Sequence, residues 1–282
     1  MRSIILFFLG TASALVVAAV LLGLTGLNSV VERAERSTLP ATLETGPLVA
    51  GKLKARTLPN PVPAGTGATT YQPRDVGAET LRFEHDGKVR SVHLFPPGAR
   101  TGAPRAAIVL FHGANRRGQS MIDMWEQAAR IGDILLIAPD SLDPQGWSWE
   151  ADGPEFVTSI LGRIGETYPL DPTRIYLFGH SAGARLAIRL ANRSDGPWTA
   201  AAVHAGIPQS SEIRPAKRPR PITVFVGSDD HLYPMEMVRR SAAALADAGH
   251  PVDLVEITGH THWYYAIGPR LSRLAWEALA GD

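Results

Sequence analysis

The sequence predicts an α/β fold in which a mostly parallel sheet is covered by helices on both faces. From residue 80 onward, short apolar runs of strand type alternate with stretches that have helical spacing. The apolar runs are continuous instead of alternating with polar residues, which is typical of parallel strands buried on both sides. Ligands of such sheets bind beyond the carboxyl ends of the strands, so functional residues are expected there.

Each element follows from its local pattern. Residues 80–97 predict a hairpin that turns at Asp86-Gly87, a favoured two-residue turn. Pro154 suits the first turn of a helix, and Gly249 suits a helix end. Strands, several with the loop that follows, are predicted at 106–113, 133–140, 174–183, 199–206, 221–230 and 251–260, and helices at 121–132, 154–168, 183–192, 235–249 and 270–279.

The N-terminal segment indicates in which cellular compartment the protein is expected. Arg2 precedes an uncharged apolar stretch at 4–27, which is long enough to span a membrane, since a span needs about 20 residues. A cleavage signature could be read at Ala12-Ser13-Ala14, but the apolar run continues past it, so a signal anchor is favoured over a cleaved signal peptide for residues 1–27. The charge before the run favours an N-terminus inside, which would place the rest in the periplasm.

Residues 28–75 are predicted to form a flexible linker. The stretch 58–73 is rich in Pro, Gly and Thr and lacks helical or strand periodicity. Such a composition buries too little apolar surface to offset the entropy of ordering. The remaining residues, 76–282, form one domain of ordinary size.

Composition excludes several classes of function. The formal net charge is +1, whereas nucleic-acid binding needs a concentrated basic surface, so no nucleic-acid partner is expected. The basic cluster at 214–221 is short and rich in proline, and we expect a solvated loop. The chain has no Cys, which excludes disulfides, thiolate metal sites and cysteine nucleophiles.

The stretch Gly179-His180-Ser181-Ala182-Gly183 matches the G-x-S-x-G elbow, in which a serine sits on a sharp turn between a strand and a helix. The pentapeptide alone is weak, because chains of this length contain it by chance about one time in ten. Its position between a predicted strand and a predicted helix strengthens it. Ser181 is therefore the candidate nucleophile, and it needs a base within hydrogen-bonding distance.

An acid and a base follow two later strands. Asp229 and Asp230 come after one strand, and His260 and His262 after the last, giving the chain order Ser, Asp, His that α/β-hydrolases use. His262 is favoured as the base because it leaves more chain to reach back over the serine. Asp230 is favoured as the acid that orients it, while Asp229 would cap its own loop. His260 remains an alternative base.

Two backbone amides are candidate oxyanion donors. Ala182 would stand at the start of the helix that follows the elbow, where N–H groups are free to bind an anion. The second donor is expected in the loop after the first long strand, with Ala114 favoured and the amide or side chain of Asn115 next. His112 is expected only to pack that loop.

The other histidines are assigned structural places. His180 is expected at the edge of the pocket, where it would contact substrate, and His204 in the core. A metal site could draw on His260, His262 and the neighbouring acids, but no metal-binding framework is present, so no metal and no cofactor are predicted. The remaining histidines are expected on the surface: His85, His93, His231 and His250.

From about Thr80 onward the chain resembles the esterase branch of the α/β-hydrolases that includes polyhydroxybutyrate depolymerases, feruloyl esterases and small acetylxylan-type esterases. The run DPTRIYLFGHSAG is the most specific match, with VGSDDHLYP and GHTHWYYAIG beside it. In the family the acid follows a glycine by three residues and precedes a proline by four, which fits Gly227, Asp230 and Pro234. The family histidine precedes an aromatic residue, as His262 precedes Trp263.

The resemblance implies a serine carboxylesterase with Ser181, His262 and Asp230 as catalytic residues and Trp263 beside the substrate. Many secreted members carry disulfides and polymer-degrading members often carry a binding domain, and neither is seen here. Aromatic residues near the expected mouth could bind an aromatic or sugar-linked ester, or only pack: Trp147, Trp149, Trp263, Tyr264 and Tyr265. Arg116 and Arg117 could attract an anionic substrate, but a solvated loop is favoured.

A peptidase or an acyltransferase would use the same groups, because fold and catalytic residues are shared across reactions. A non-catalytic envelope protein is the remaining alternative. The expected partners are a small or oligomeric ester substrate and the membrane that the N-terminal helix would enter.

Overall fold

The structure is a computed structural model that describes residues 46–60, 70–98 and 102–281. The predicted signal anchor at 1–27 lies outside the described residues. In the three described ranges, no helix is long and apolar enough to cross a membrane.

A nine-stranded sheet forms the centre of the molecule, in the order β1-β9-β8-β7-β6-β4-β5-β3-β2. All neighbouring strands are parallel except β2 with β3 and β3 with β5. The strands are β1 (Leu53–Pro59), β2 (Glu79–His85), β3 (Lys88–Phe95), β4 (Arg105–Phe111), β5 (Leu135–Pro139), β6 (Leu170–His180), β7 (Ala200–His204), β8 (Ile222–Gly227) and β9 (Val252–Thr258).

Helices cover both faces of this sheet, as the continuous apolar strands predicted. They are α1 (Gly118–Gly132), α2 (Trp149–Asp152), α3 (Pro154–Gly165), α4 (Ala182–Arg193), α5 (Met235–Asp247) and α6 (Gly268–Ala280). One apolar core lies under α3, α4 and α5, and a second lies under α1 and α6. The largest side chains of the two cores, such as Phe156 and Trp125, are fully buried.

The predicted α/β fold is confirmed. The hairpin turns at Asp86-Gly87, and both residues have positive φ, at 51° and 71°, as a type I′ turn requires. Each strand and helix expected from residue 80 onward is present near its expected place. The short helix α2 was not predicted, because four residues carry too little periodicity to be recognised.

The flexible-linker prediction for 28–75 is wrong for the described residues in that range. Residues Leu53–Pro59 form the edge strand β1, which pairs in parallel with β9, from Leu53 beside Val252 to Pro59 beside Thr258. The half-buried positions of β1 are Lys54, Arg56 and Leu58. Two charged residues on the inward face hid the strand pattern, and its partner lies about two hundred residues away in the chain.

Three polar residues that we expected in solvent are buried. Arg220, in the basic cluster at 214–221, donates hydrogen bonds to the backbone carbonyls of Trp198, Ala191, Ser194 and Gly196. His250 is fully buried and His93 is 5% exposed. Isolated polar residues give no periodic signal of burial, so only the tertiary structure reveals these positions.

Candidate active site

Ser181 lies on a sharp turn between β6 and α4. Its backbone has φ of 54° and ψ of −117°, a strained conformation for a residue with a side chain. The surrounding structure imposes it: the N–H of Ser181 donates to the carbonyl of His204 on the neighbouring strand β7, at 3.0 Å. Strain of this kind is typical of functional positions, and here it presents the serine at the carboxyl end of the sheet.

The glycines of the motif are required by close contact. A Cβ atom on Gly179 would lie 2.3 Å from the carbonyl oxygen of Gly183. A Cβ atom on Gly183 would lie 2.2 Å from the carbonyl oxygen of Phe111, at the end of β4. Any side chain at either position would therefore force the strand and the helix apart.

The structure brings Ser181, His262 and Asp230 together in one hydrogen-bonded chain. His262 Nδ1 lies 2.8 Å from Asp230 Oδ2, and His262 Nε2 lies 2.9 Å from Ser181 Oγ. The carboxylate of Asp230 can only accept a hydrogen bond, so Nδ1 of His262 carries the proton and donates to it. Nε2 of His262 therefore accepts the hydrogen bond from the Ser181 hydroxyl. This is the arrangement in which an imidazole can take the proton of a nucleophilic hydroxyl.

Asp230 is held as a carboxylate by its surroundings. Its Oδ1 accepts the backbone N–H groups of Leu232 and Tyr233, at 2.9 and 3.0 Å. Burial acts to raise the pKa of Asp230, but the hydrogen bonds from His262, Tyr233 and Leu232 outweigh it and hold that pKa below its usual range. An ionised acid is thus available to orient the imidazole and to stabilise its protonated form.

Asp229 and His260, the alternative acid and base, have other surroundings. Asp229 is exposed and accepts the hydroxyl of Ser228 at 2.8 Å. His260 is 3% exposed, and its Nε2 lies 3.2 Å from Nε2 of His204. Neither side chain is part of the hydrogen-bonded chain from Ser181 through His262 to Asp230.

The candidate oxyanion donors flank the serine. Ala182 is the first residue of α4, where backbone N–H groups have no acceptor within the helix. Ala114 follows Gly113, where an added Cβ atom would lie 3.0 Å from Cδ2 of His180 and 3.4 Å from Cβ of Ser181. Asn115 is ruled out as a backbone donor because its N–H donates to the carbonyl of Pro144 at 2.7 Å.

A protein-family model matches part of the chain. Residues 161–273 match the model of the dienelactone hydrolase family, and they include Ser181, Asp230 and His262. No curated protein sequence matches the chain.

Three solved structures show the likeness in fold. Esterase 2 of Thermogutta terrifontis aligns with a TM-score of 0.59 and 19% identity, over 75% of this chain and 94% of its own. Esterase PE8 aligns with a TM-score of 0.53 and 21% identity, over 66% and 97%. An S-formylglutathione hydrolase from Agrobacterium tumefaciens aligns with a TM-score of 0.58 and 16% identity, over 71% and 93%.

The chain is an α/β-hydrolase by fold. Identities of this size establish the fold alone, and it is the α/β-hydrolase fold that the sequence predicted.

His112 does more in this α/β-hydrolase than pack its loop. The backbone N–H of Ser141 donates to Nε2 of His112 at 3.1 Å, so Nδ1 carries the proton and donates to the carbonyl of Gly113 at 2.8 Å. Burial lowers the pKa of His112 and keeps it neutral. Because C=O and N–H point in opposite directions across a trans peptide, this contact turns the Ala114 N–H away from the imidazole.

We expect His112→Phe to lower kcat for ester hydrolysis by about 100-fold with little change in KM, because it frees the peptide that carries one oxyanion donor. His112→Asn retains a side-chain N–H beside the Gly113 carbonyl and should recover most of the loss. Steady-state kinetics of both variants test this. Equal losses in Phe and Asn variants would contradict a role through that hydrogen bond.

A chain of buried histidines underlies the site. His180 and His204 approach each other through their Nδ1 atoms at 3.1 Å, and His204 contacts His260 as described. The ring of His180 packs against that of His262, with centroids 5.1 Å apart. His180 therefore lies beneath the site, buried, and not at the edge of the pocket as predicted.

These three histidines are neutral. Burial lowers the pKa of His180 to about 3 and that of His260 to about 4, and it also lowers the pKa of His204. The unfolded chain therefore binds more protons than the folded chain below pH 6.5, the ordinary pKa of histidine. Above pH 6.5 the three histidines are neutral in both states and do not reduce the free energy of unfolding. As the pH falls from 6.5 toward the pKa values of the folded protein, the free energy of unfolding decreases.

We expect the free energy of unfolding to fall by up to about 4 kcal/mol per pH unit as pH drops from 6 to 5, about 1.4 for each of the three histidines. Urea unfolding at several pH values measures this slope. His260→Gln should reduce it by about 1.4 kcal/mol per pH unit, whereas His231→Gln, at an exposed position, should not. An unchanged slope in His260→Gln would contradict the assignment.

The rim beside His262 is built from residues far apart in sequence. The guanidinium of Arg116 lies 5.5 Å from the ring centroid of Trp263 and 4.9 Å from that of Tyr265. Tyr71 stacks on Tyr265 with centroids 4.1 Å apart. Tyr264, which we considered for the mouth, is instead fully buried in the core.

The sequence analysis did not identify Asp123, the residue on α1 that binds Tyr71. Tyr71 Oη donates to Asp123 Oδ2 at 2.5 Å, and Arg74 Nε donates to Asp123 Oδ1 at 2.8 Å. Asp123 lies on the buried face of α1 and is 2% exposed. A carboxylate between Ile122 and Met124 on an amphipathic helix was the available signal.

The part of the chain that the structure describes contains no cluster of three or more potential metal ligands.

Proposed function

We propose that this protein is a serine hydrolase that cleaves carboxylic esters through an acyl-enzyme intermediate. The observation that carries the proposal is the hydrogen-bonded chain from Ser181 through His262 to Asp230, with distances of 2.9 and 2.8 Å. A buried carboxylate, an imidazole and a hydroxyl at these distances form an activated serine nucleophile of the kind that acyl transfer needs.

In the proposed reaction, Ser181 Oγ attacks the ester carbonyl while His262 Nε2 takes its proton. The carbonyl oxygen becomes an oxyanion that the N–H groups of Ala182 and Ala114 stabilise. Collapse of this intermediate breaks the ester bond, and His262 returns the proton to the leaving alcohol. Water, deprotonated by His262, then attacks the acyl-enzyme, releases the carboxylic acid and restores the serine.

The names of the structural neighbours support an ester substrate, since two are esterases and the third is an S-formylglutathione hydrolase. A narrower proposal is that the substrate is a polyester or a feruloyl ester, as the sequence resemblance implied. Trp263, half-buried on the rim, is the proposed contact for the substrate. Asn115 is its proposed neighbour through the side chain, which also accepts a hydrogen bond from Gln145.

The test is hydrolysis of p-nitrophenyl esters of increasing acyl length by the protein and by Ser181→Ala. We expect a loss of at least about a thousandfold in kcat/KM for the variant, the scale found when a catalytic nucleophile is removed. Ser159→Ala, a half-buried serine on α3, is the matched control and should retain activity. The acyl-length profile would then rank acetyl, aryl and longer substrates.

Other outcomes discriminate the alternatives. Labelling of Ser181 by a fluorophosphonate without ester hydrolysis would favour a peptidase, and ester product formed only with an added alcohol would favour an acyltransferase. A folded protein that neither reacts with the probe nor hydrolyses esters would favour a non-catalytic envelope protein.

We further propose that the catalytic domain lies outside the cytoplasm, held by an N-terminal segment at 1–27. The apolar stretch after Arg2 supports this. Alkaline phosphatase fused after residue 60 would be active only if exported, so an inactive fusion with normal expression would overturn the proposal.

A further inference from the structure

A cavity of about 450 Å³, which Ser181 does not line, lies beside the β2–β3 hairpin. This volume is in the range of small-molecule sites, which is roughly 300–1,000 Å³. Such sites are mostly apolar, but every residue that lines this one is polar. The lining residues are Thr80, Arg82, Ser91, His93, Arg117, Gln119 and Asp140.

Strand pairing builds the floor of this cavity. Thr80 lies opposite His93, and Arg82 lies opposite Ser91 in the antiparallel register of β2 and β3. Residues two apart on a strand share a face, so these four side chains stand together on one side of the hairpin.

The walls come from the next two elements. Asp140 follows β5, and its Oδ1 accepts the N–H of Gly118, the first residue of α1, at 2.8 Å. Arg117 donates to Asp140 Oδ2 at 3.3 Å. Both oxygens of the carboxylate are therefore engaged by the protein, and the helix end is already capped.

His93 is the buried polar group that these contacts leave incomplete. Its Nδ1 lies 3.1 Å from Thr80 Oγ1. Its Nε2 lies 3.4 Å from Asp140 Oδ1, without the alignment of a hydrogen bond, and it has no other partner in the described structure. A buried imidazole nitrogen with no hydrogen bond is costly unless a ligand or water completes it.

The charges favour an anion. Arg82 is exposed and forms no ion pair within the described residues. Two guanidinium groups, Arg82 and Arg117, face the cavity against the single carboxylate of Asp140. The remaining groups are two hydroxyls, an amide and an imidazole, all of which can donate to oxyanion oxygens.

We propose that this cavity binds a small polar molecule through an oxyanion group, a phosphate or a carboxylate, that pairs with Arg82 and Arg117 and accepts hydrogen bonds from the side chains on the floor. Ser181, His262 and Asp230 do not line this cavity, so the proposed site is independent of the proposed hydrolase reaction.

The test is thermal unfolding and isothermal titration calorimetry of the full chain with inorganic phosphate and, separately, with acetate, at an ionic strength held constant with sodium chloride. A bound anion should raise the unfolding midpoint with the logarithm of its concentration above Kd, by about 3–5 °C at ten times its Kd. Arg82→Gln, at an exposed edge position, should weaken binding at least tenfold. Arg240→Gln, an exposed arginine paired with Glu236 on α5, is the control and should bind normally.

The two probes separate the two ligand sources: binding of phosphate alone points to a phosphorylated ligand, and binding of acetate alone points to a carboxylic acid. The proposal is overturned if neither anion binds at concentrations up to about 50 mM, or if Arg82→Gln and Arg240→Gln bind equally well.

Discussion

Replacing Asp230 with Asn is expected to lower kcat for ester hydrolysis by about 10⁴-fold, the scale of the same change in other Ser-His-Asp enzymes. Asn keeps the shape of the side chain but can present an N–H to His262 Nδ1, which forces the proton onto Nε2. An imidazole with its proton on Nε2 cannot accept the proton of Ser181. The serine would then lack a base, although its position is unchanged.

Asp229→Asn is the matched control, because Asp229 is adjacent in sequence but exposed, and its side chain accepts a hydrogen bond from Ser228 on its own loop. We expect its activity to stay within about twofold of the parent, as for most surface substitutions. Steady-state kinetics and circular dichroism of both variants measure the difference. Similar activities in the two variants would remove Asp230 from the proposed mechanism.

A chain that begins at residue 76, the start of the predicted domain, is expected to be less stable by at least about 3 kcal/mol than one that begins at residue 46. The shorter chain loses β1 and with it Arg56, the partner of Asp253, which is 2% exposed. It also loses Tyr71 and Arg74, which bind Asp123. Two buried carboxylates would lose their partners, and water entering the vacated edge would relieve only part of the cost.

Thermal unfolding tests this directly. The expected loss corresponds to a midpoint about 6–12 °C lower, at 2–4 °C per kcal/mol for a domain of this size. The exposed edge of β9 should also make the shorter chain aggregate, since an unpaired strand edge is a template for association. Equal midpoints for the two chains would show that the arm at 46–75 adds no stability and would restore the linker interpretation.

Much of the fold could be predicted because its signals are local. The strands between β4 and β9 are continuous apolar runs, and helices such as α4 and α5 have the spacing of an amphipathic face. The strand ends then indicated where Ser181, Asp230 and His262 would lie. The structure brings these three side chains together, because the carboxyl ends of parallel strands meet at one edge of the sheet.

Local patterns could not choose within pairs of neighbouring candidates. His260 and His262 are two residues apart, and their surroundings differ completely: one contacts His204 in the interior and the other contacts Ser181. The path of the loop after β9 decides this, and sequence spacing only suggests it. The same holds for Asp229 and Asp230, whose loop turns one carboxylate outward and the other toward His262.

The sequence by itself determined the α/β architecture, the elbow at Ser181 and the short set of residues that could act with it, since each depends on residues close together in the chain. The tertiary structure alone decided which histidine and which acid reach the serine, that β1 completes the sheet, and that Tyr71 and Arg74 bind Asp123. It also decided that His93, His180 and Arg220 are buried. The physical reason is that pairing across long sequence separations, and the burial of single polar groups, leave no periodic signal in the chain.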